Sequence, residues 1–394
     1  MILNSENLIQ KKGMILLDKF NADIEFSIRK EPTLEVLYGF LSLKILTNPY
    51  SEISKTRDEI ESQFRELKFK LGNESGFYLW SIYYELLLSY YQYEEDEVQQ
   101  LVVFGEAKKL LNGKNGTKYW ASFVLKNHPD HILKNPNFDF KSVIAEVETF
   151  LQKRGWLDDV SELSVNMYLM KIQYFIANEL WPEADNTIIE AKDMMPVDLT
   201  NQSVVKFTIA LLQKEESLQY YTGKFEQAVE TCTMAIELCK LIKLRHGLVD
   251  LLIDRNISNR KLGKLEEALD DIKTAMKTIG DIGNLPPSKI GVSLFQYAQV
   301  LREAASYSEA MKQYIECQKY WANNAKGEYR KMVTEMNMIY CISNGQLNPN
   351  DFFPISITDK RNQIIDFFKK PENDIQLSPV NRKNLMGLSE LLFT

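Results

Sequence analysis

The sequence predicts an all-α chain: consecutive helical hairpins stacked as an array, preceded by an N-terminal helical region. Three observations carry this reading. Small residues recur in pairs seven apart, Ala184 with Ala191, Ala228 with Ala235, Ala268 with Ala275 and Ala310 with Cys317, and successive pairs lie 44, 40 and 42 residues apart. Seven residues make two helical turns, so each pair falls on one helix face, and a face kept small lets a neighbouring helix approach closely. Ahead of each pair stands a turn and an apolar anchor. Five residues before the first alanine comes Glu179, Gly223, Gly263 or Ala305, and three before it Trp181, Phe225, Leu265 or Tyr307.

Taken along the chain, residues 1–75 read as helices, with Pro32 suited to a helix start and Asn48-Pro49 to a break. Residues 76–160 read as degenerate repeats. An aromatic helix runs from Phe77 to Tyr93, where Tyr83 with Tyr90 and Tyr84 with Tyr91 repeat at two turns and are expected to pack in the core. The acidic run Glu94 to Glu97 follows, then a helix through Ala107 to Leu111; Ala107 lies 84 residues before Ala191, twice 42. Asn112 to Phe140, with Pro129 and Pro136, reads as a loop that breaks register. The clear repeats occupy 161–345. Four prolines after Gly345 punctuate residues 346–394, read as capping helices at Asp359 to Lys369 and near Val380 to Leu392, because the last repeat needs its apolar face covered.

Composition narrows the function. In 394 residues, 47 Lys plus Arg against 54 Asp plus Glu leave a net charge of −7, which argues against general attraction to nucleic acid or an anionic membrane. No stretch approaches the ~18 apolar residues of a membrane span, and the first residues lack a basic head followed by an apolar run. The four cysteines contain no CxxC, and Cys232 and Cys239, two turns apart on one helix, are too distant to bridge. A reducing cytoplasm is the expected compartment. The three histidines, His128, His131 and His246, make no metal set, and no cofactor is expected. Gly113 to Lys118 lacks the spacing of a phosphate loop, and neither GxSxG nor HExxH occurs.

The inward positions of each repeat's first helix vary. They are Tyr168, Ile172 and Phe175 in the first copy and Leu294, Ala298 and Leu301 in the fourth, but Leu212, Glu216 and Gln219 in the second and Leu252, Asn256 and Asn259 in the third. Buried amides and carboxylates need partners, so Glu216, Gln219, Asn256 and Asn259 must pair within the protein, meet water, or line a groove that accepts a polar ligand. A shift of helix phase placing them on an exposed face is the alternative.

The motif Gly223-Lys224-Phe225-Glu226-Gln227-Ala228, repeated as Gly263-Lys264-Leu265-Glu266-Glu267-Ala268 and in looser form at Leu180 to Ala184 and Ala305 to Ala310, resembles the tetratricopeptide repeat family. Pro196 sits where the closing proline of that family falls. The resemblance implies a right-handed superhelix with a concave groove. The 40 to 44 residue period exceeds that family's roughly 34 residues and is similar in style to the intracellular peptide-pheromone receptors of Gram-positive bacteria and their phages, including Rap-type regulators.

By that resemblance the concave side holds Asn166, Gln173, Gln213, Ser217, Tyr220, Asp250, Arg260, Lys261, Gln299 and Arg302. Amides offer donor and acceptor together and suit the main chain of an extended peptide, while Arg260 and Arg302 suit a carboxylate. The candidate binding residues are therefore Asn166, Gln173, Gln213, Glu216, Gln219, Tyr220, Asn256, Asn259, Arg260, Gln299 and Arg302. The expected function is a cytoplasmic regulator that binds a short peptide or extended protein segment and alters contact with an effector protein. A static adaptor or protein-capture component stays open, as does an enzyme such as a phosphatase working through the N-terminal helices, and so does a homodimer. Pheromone receptors often begin with a DNA-binding helix-turn-helix, which is not evident here, so direct nucleic-acid binding is not expected.

Overall fold

In the computed structural model, the described residues are 96–111, 117–126, 139–153, 162–194, 200–283, 285–321 and 325–370, with Leu133 and six residues between 81 and 91. The N-terminal helices expected over 1–75, the last capping helix, Pro196, His128, His131 and most of the Gly113 to Lys118 run lie outside them. The chain divides into two compact units, 1–127 and 128–394. Among the described residues every regular element is helical.

In the first unit, α1 (Glu97–Leu111) and α2 (Thr117–Lys126) pack together. Helix α2 corrects the reading of 112–140 as loop. Its segment TKYWASFVLK buries Trp120, Ala121, Phe123, Val124 and Leu125, and this aromatic load outweighs the short length and the absence of repeat spacing. Phe104 of α1 lies 5.5 Å from the rings of both Trp120 and Phe123, and Tyr84 meets Phe123 edge-on at 6.4 Å. Tyr84 and Tyr91 are buried, as the two-turn spacing predicts.

The second unit begins with α3 (Phe140–Lys153) and continues as hairpins: α4 (Glu162–Ala177) with α5 (Trp181–Met194), α6 (Gln202–Tyr221) with α7 (Phe225–Ile242), α8 (Arg245–Lys261) with α9 (Leu265–Ile282), and α10 (Pro287–Glu303) with α11 (Tyr307–Gln318). Helix α12 (Ala325–Gly345) packs on α11, and after a single 3-10 turn α13 (Ile357–Phe368) packs on α12. Phe353, Ile364, Phe367 and Phe368 join the core of α10 to α12, so this stretch covers the end of the last complete hairpin.

Each second helix starts on its anchor, Trp181, Phe225, Leu265 or Tyr307, and all eight small residues of the four pairs are buried. The turns share one geometry. Glu179, Gly223, Gly263 and Ala305 take φ of 59°, 77°, 73° and 58°, and the following residue donates its N–H to the carbonyl five back: Leu180 to Phe175, Lys224 to Gln219, Lys264 to Asn259 and Ser306 to Leu301, at 2.8 to 2.9 Å. This left-handed cap closes the first helix and reverses the chain. Glycine serves it twice without strain; at Glu179 and Ala305 the surrounding packing imposes it. The same device, with Lys243 at φ 58° and Leu244 bonded to Cys239, links α7 to α8.

Two places also leave no room for a side chain, and at one of them a methyl on Gly345 of α12 would fall 2.8 Å from Tyr307 Cβ of α11. At the other, a methyl on Gly291 of α10 would fall 2.6 Å from Trp321 Cζ3, so only glycine fits under that ring. All four cysteines are buried and unpaired, and burial raises the thiols of Cys232, Cys239, Cys317 and Cys341, leaving them inert.

Candidate functional site

First helices of successive repeats meet: α4 touches α6, and α8 touches α10. Four of the helix-to-helix steps carry polar pairs. Lys171 of α4 reaches Glu148 of α3 at 3.2 Å, Lys214 of α6 donates to Gln173 of α4, Lys289 of α10 pairs with Asp250 of α8 at 2.7 Å, and Arg302 of α10 donates to Asn337 of α12. The spacing explains it: hairpins of about 40 residues return homologous helix faces to neighbouring positions, so a polar residue recurs beside the next one.

The polar centre of the array is buried rather than turned outward. Glu216, Asn256 and Asn259 are 4%, 0% and 3% exposed, which removes the exposed-face alternative for these three. Two of them are held inside their own hairpin. Asn256 donates to the Ala268 carbonyl at 2.6 Å, and Asn259 donates to Asp271 Oδ2 at 3.1 Å. Asp271 also receives a two-toothed bond from Arg255, Nε to Oδ2 at 3.0 Å and Nη2 to Oδ1 at 2.5 Å, while Arg255 Nη1 bonds Thr233 of α7 at 3.0 Å. Neither Arg255 nor Asp271 is among the candidates from the sequence. A signal was present, since Asp271 lies between Ala268 and Ala275 on the small-residue face, where a carboxylate requires a buried cation.

Glu216 of α6 and Asp254 of α8 form a second cluster. Burial raises the Glu216 carboxyl first, and the Asp254 carboxylate adds to it. Asp254 is raised by burial and by Asp250, against Lys289 and Lys214. An acid whose folded value exceeds its unfolded one contributes most stability below the unfolded value, about 4, and this is lost as pH rises toward the raised values. We therefore expect the native chain to lose stability from pH 5 to pH 8, and Glu216→Gln to flatten that slope. Urea midpoints at both pH values check it; an unchanged slope in the variant removes Glu216 as the cause.

The remaining candidates converge further along. Arg260 of α8 grips Glu303, Nε to Oε2 at 2.9 Å and Nη2 to Oε1 at 2.5 Å, and also donates to Gln296 at 2.6 Å and Gln299 at 3.3 Å. Arg302 touches the same carboxylate at 3.5 Å and lies 5.1 Å from the Tyr340 ring centroid. Burial alone would raise the Glu303 carboxyl, but Arg260 and Arg302 together hold it below its ordinary value. Arg260, Gln299 and Arg302 thus form one group. Tyr220 packs edge-on against Tyr221 and Phe225 at 5.6 Å, and its hydroxyl is raised by burial. Gln219 Oε1 and Asn256 Oδ1 are buried acceptors without partners. Asn166, Gln173 and Gln213 are half-buried on α4 and α6, and Lys261 is exposed.

Among the described residues no group of three His, Cys, Asp or Glu could hold a metal, and no helix is long and apolar enough to cross a membrane.

Repeated hairpins, left-handed caps and small-residue faces define an all-α helical-repeat fold. A solved structure shares this fold. The chain is similar to a Signal Transduction ATPase with Numerous Domains with a tetratricopeptide repeat sensor from Pyrococcus horikoshii, at 10% identity and a TM-score of 0.53, over 93% of this chain and 48% of that one. It spans about half of that protein's length, and the likeness is one of fold. The apo form of RapI matches at 10% identity and TM-score 0.46, over 90% of this chain and 97% of that one. A Rap protein complexed with Competence and Sporulation Factor matches at 14% and 0.45, over 95% and 92%. No protein-family model and no curated protein matches the sequence.

Proposed function

We propose that this chain is a cytoplasmic regulator that binds a short peptide or an extended protein segment along its first helices and thereby alters contact with a partner protein. The observation that supports the reading is the recurrence of polar contacts between helices of neighbouring repeats, α3 with α4, α4 with α6, α8 with α10 and α10 with α12. A ligand lying across these helices exchanges hydrogen bonds with groups belonging to several repeats at once. Each hairpin adds a small rotation to the array, so a ligand that prefers one pitch shifts the population of all of them.

Thermal unfolding in the presence of size-fractionated cell extract tests this. A rise in midpoint with a peptide fraction, at least halved by Gln213→Arg on α6, is the expected result. Stabilisation by large macromolecules alone points instead to a static adaptor. No response to any fraction removes the reading.

A further inference from the structure

The group around Glu303 is short of negative charge. Two guanidinium groups, with side chains 13% and 10% exposed, face a single carboxylate that is 29% exposed. A buried cation without a full counter-charge is costly, so this arrangement persists where something else supplies the charge. Arg302 has five N–H groups; Asn337 takes one and Glu303 a long contact, and its guanidinium lies against Tyr340, which is 41% exposed. Donors of a side chain nine-tenths buried therefore remain open next to solvent.

Both arginines are also held in place by neutral groups. Gln296 and Gln299 hold Arg260, while Asn337 and the Tyr340 ring hold Arg302. Glu303 is the member that moves most cheaply. It is the last residue of α10, where the helix dipole is negative and disfavours a carboxylate, and the chain then turns at Ala305 with φ 58°. Its withdrawal leaves a fork of two oriented guanidinium groups, the geometry that recognises a planar carboxylate.

We infer that Arg260 and Arg302 form a binding site for a carboxylate carried by the ligand, and that Glu303 is an internal occupant of the site, displaced when the ligand's carboxylate arrives. The source of the carboxylate rests on the peptide-binding reading; the site itself rests on the geometry of α8, α10 and α12. Glu303 then sets a threshold, since the ligand competes with a tethered group and its apparent affinity falls by the fraction of time that group is bound.

The experiment uses the full chain and two variants, Glu303→Ala and the shape-preserving Glu303→Gln. Sodium propionate is titrated against propionamide at constant ionic strength while the unfolding midpoint is followed. Propionate is expected to raise the midpoint of the Glu303 variants saturably and that of the native chain far less; Arg302→Gln combined with Glu303→Ala abolishes the response. Equal responses to propionate and propionamide, or a response that survives loss of Arg302, overturn the site. Pentapeptide mixtures then identify the carrier. Free-acid peptides binding the Glu303→Gln variant about tenfold more tightly than the native chain, with amidated peptides lacking acidic side chains inert, assign a peptide C-terminus. Binding by amidated peptides only when Asp or Glu is present assigns an acidic side chain. Propionate uptake without binding of any peptide upholds the carboxylate site and removes the peptide reading, whereas peptide binding indifferent to Arg302 does the reverse.

Discussion

Asp271→Ala is expected to destabilise the array by about 3–5 kcal/mol, the range for a buried ion pair deprived of one partner. Asp271 is buried on the small-residue face of α9 and receives Arg255 through two nitrogens and Asn259 through its amide. Truncation strands the buried Asn259 amide and leaves the partly buried Arg255 without its counter-charge. Arg255 also ties the hairpin to Thr233 of the preceding repeat, so the loss reaches the joint between hairpins. Chemical denaturation followed by circular dichroism gives the value, and a second transition is expected if the array separates at that joint, because repeat proteins hold together by neighbour contacts. The double variant Arg255→Met with Asp271→Leu is expected to recover most of the loss, since an apolar pair removes the unmet charge. A cost below about 1 kcal/mol for Asp271→Ala contradicts the assignment of the pair as a structural tie.

Ala268→Leu tests the alanine faces, with an expected cost of about 3 kcal/mol, at the top of the usual range for overpacking. Ala268 is fully buried where α9 crosses α8, and its carbonyl accepts the Asn256 amide at 2.6 Å. Three added carbons must push the helices apart, and that movement also strains the amide bond. Glu267→Leu, one residue earlier on the exposed side of the same helix, is the control and is expected to stay within about 0.5 kcal/mol. Similar values for the two variants would falsify close helix approach as the reason for the recurring alanines.

The difference between these sites and the Arg260 group shows what a linear reading reaches. Ala184, Ala228, Ala268 and Ala310 recur at near-constant spacing, and each is buried with its partner seven residues on. Aligning on them also places Glu179 and Ala305 at the position of the turn glycines, and both take the left-handed conformation. Helix α2 escaped because it belongs to no repeat and is framed by turn residues, although Trp120 and Phe123 make it part of the core. Among the candidate binding residues, Arg260, Gln299 and Arg302 lie together, but Asn256 and Asn259 spend their amides within their own hairpin. Those two were placed on the right helix; their partners depend on how α9 leans against α8.

Local chemistry determined the helices, the two glycine turns at Gly223 and Gly263 and the repeating small face, because residues within two helical turns of each other set these features. Only the tertiary structure decided which charges meet. The carboxylate of Glu303 lies 43 residues from Arg260, a separation closed by the stacking of one hairpin on the next, and that of Asp271 lies 16 from Arg255, closed by the packing of α9 against α8. A sequence displays such residues as ordinary charges on helices, and the low-dielectric contacts that tie them together exist only once the helices have packed.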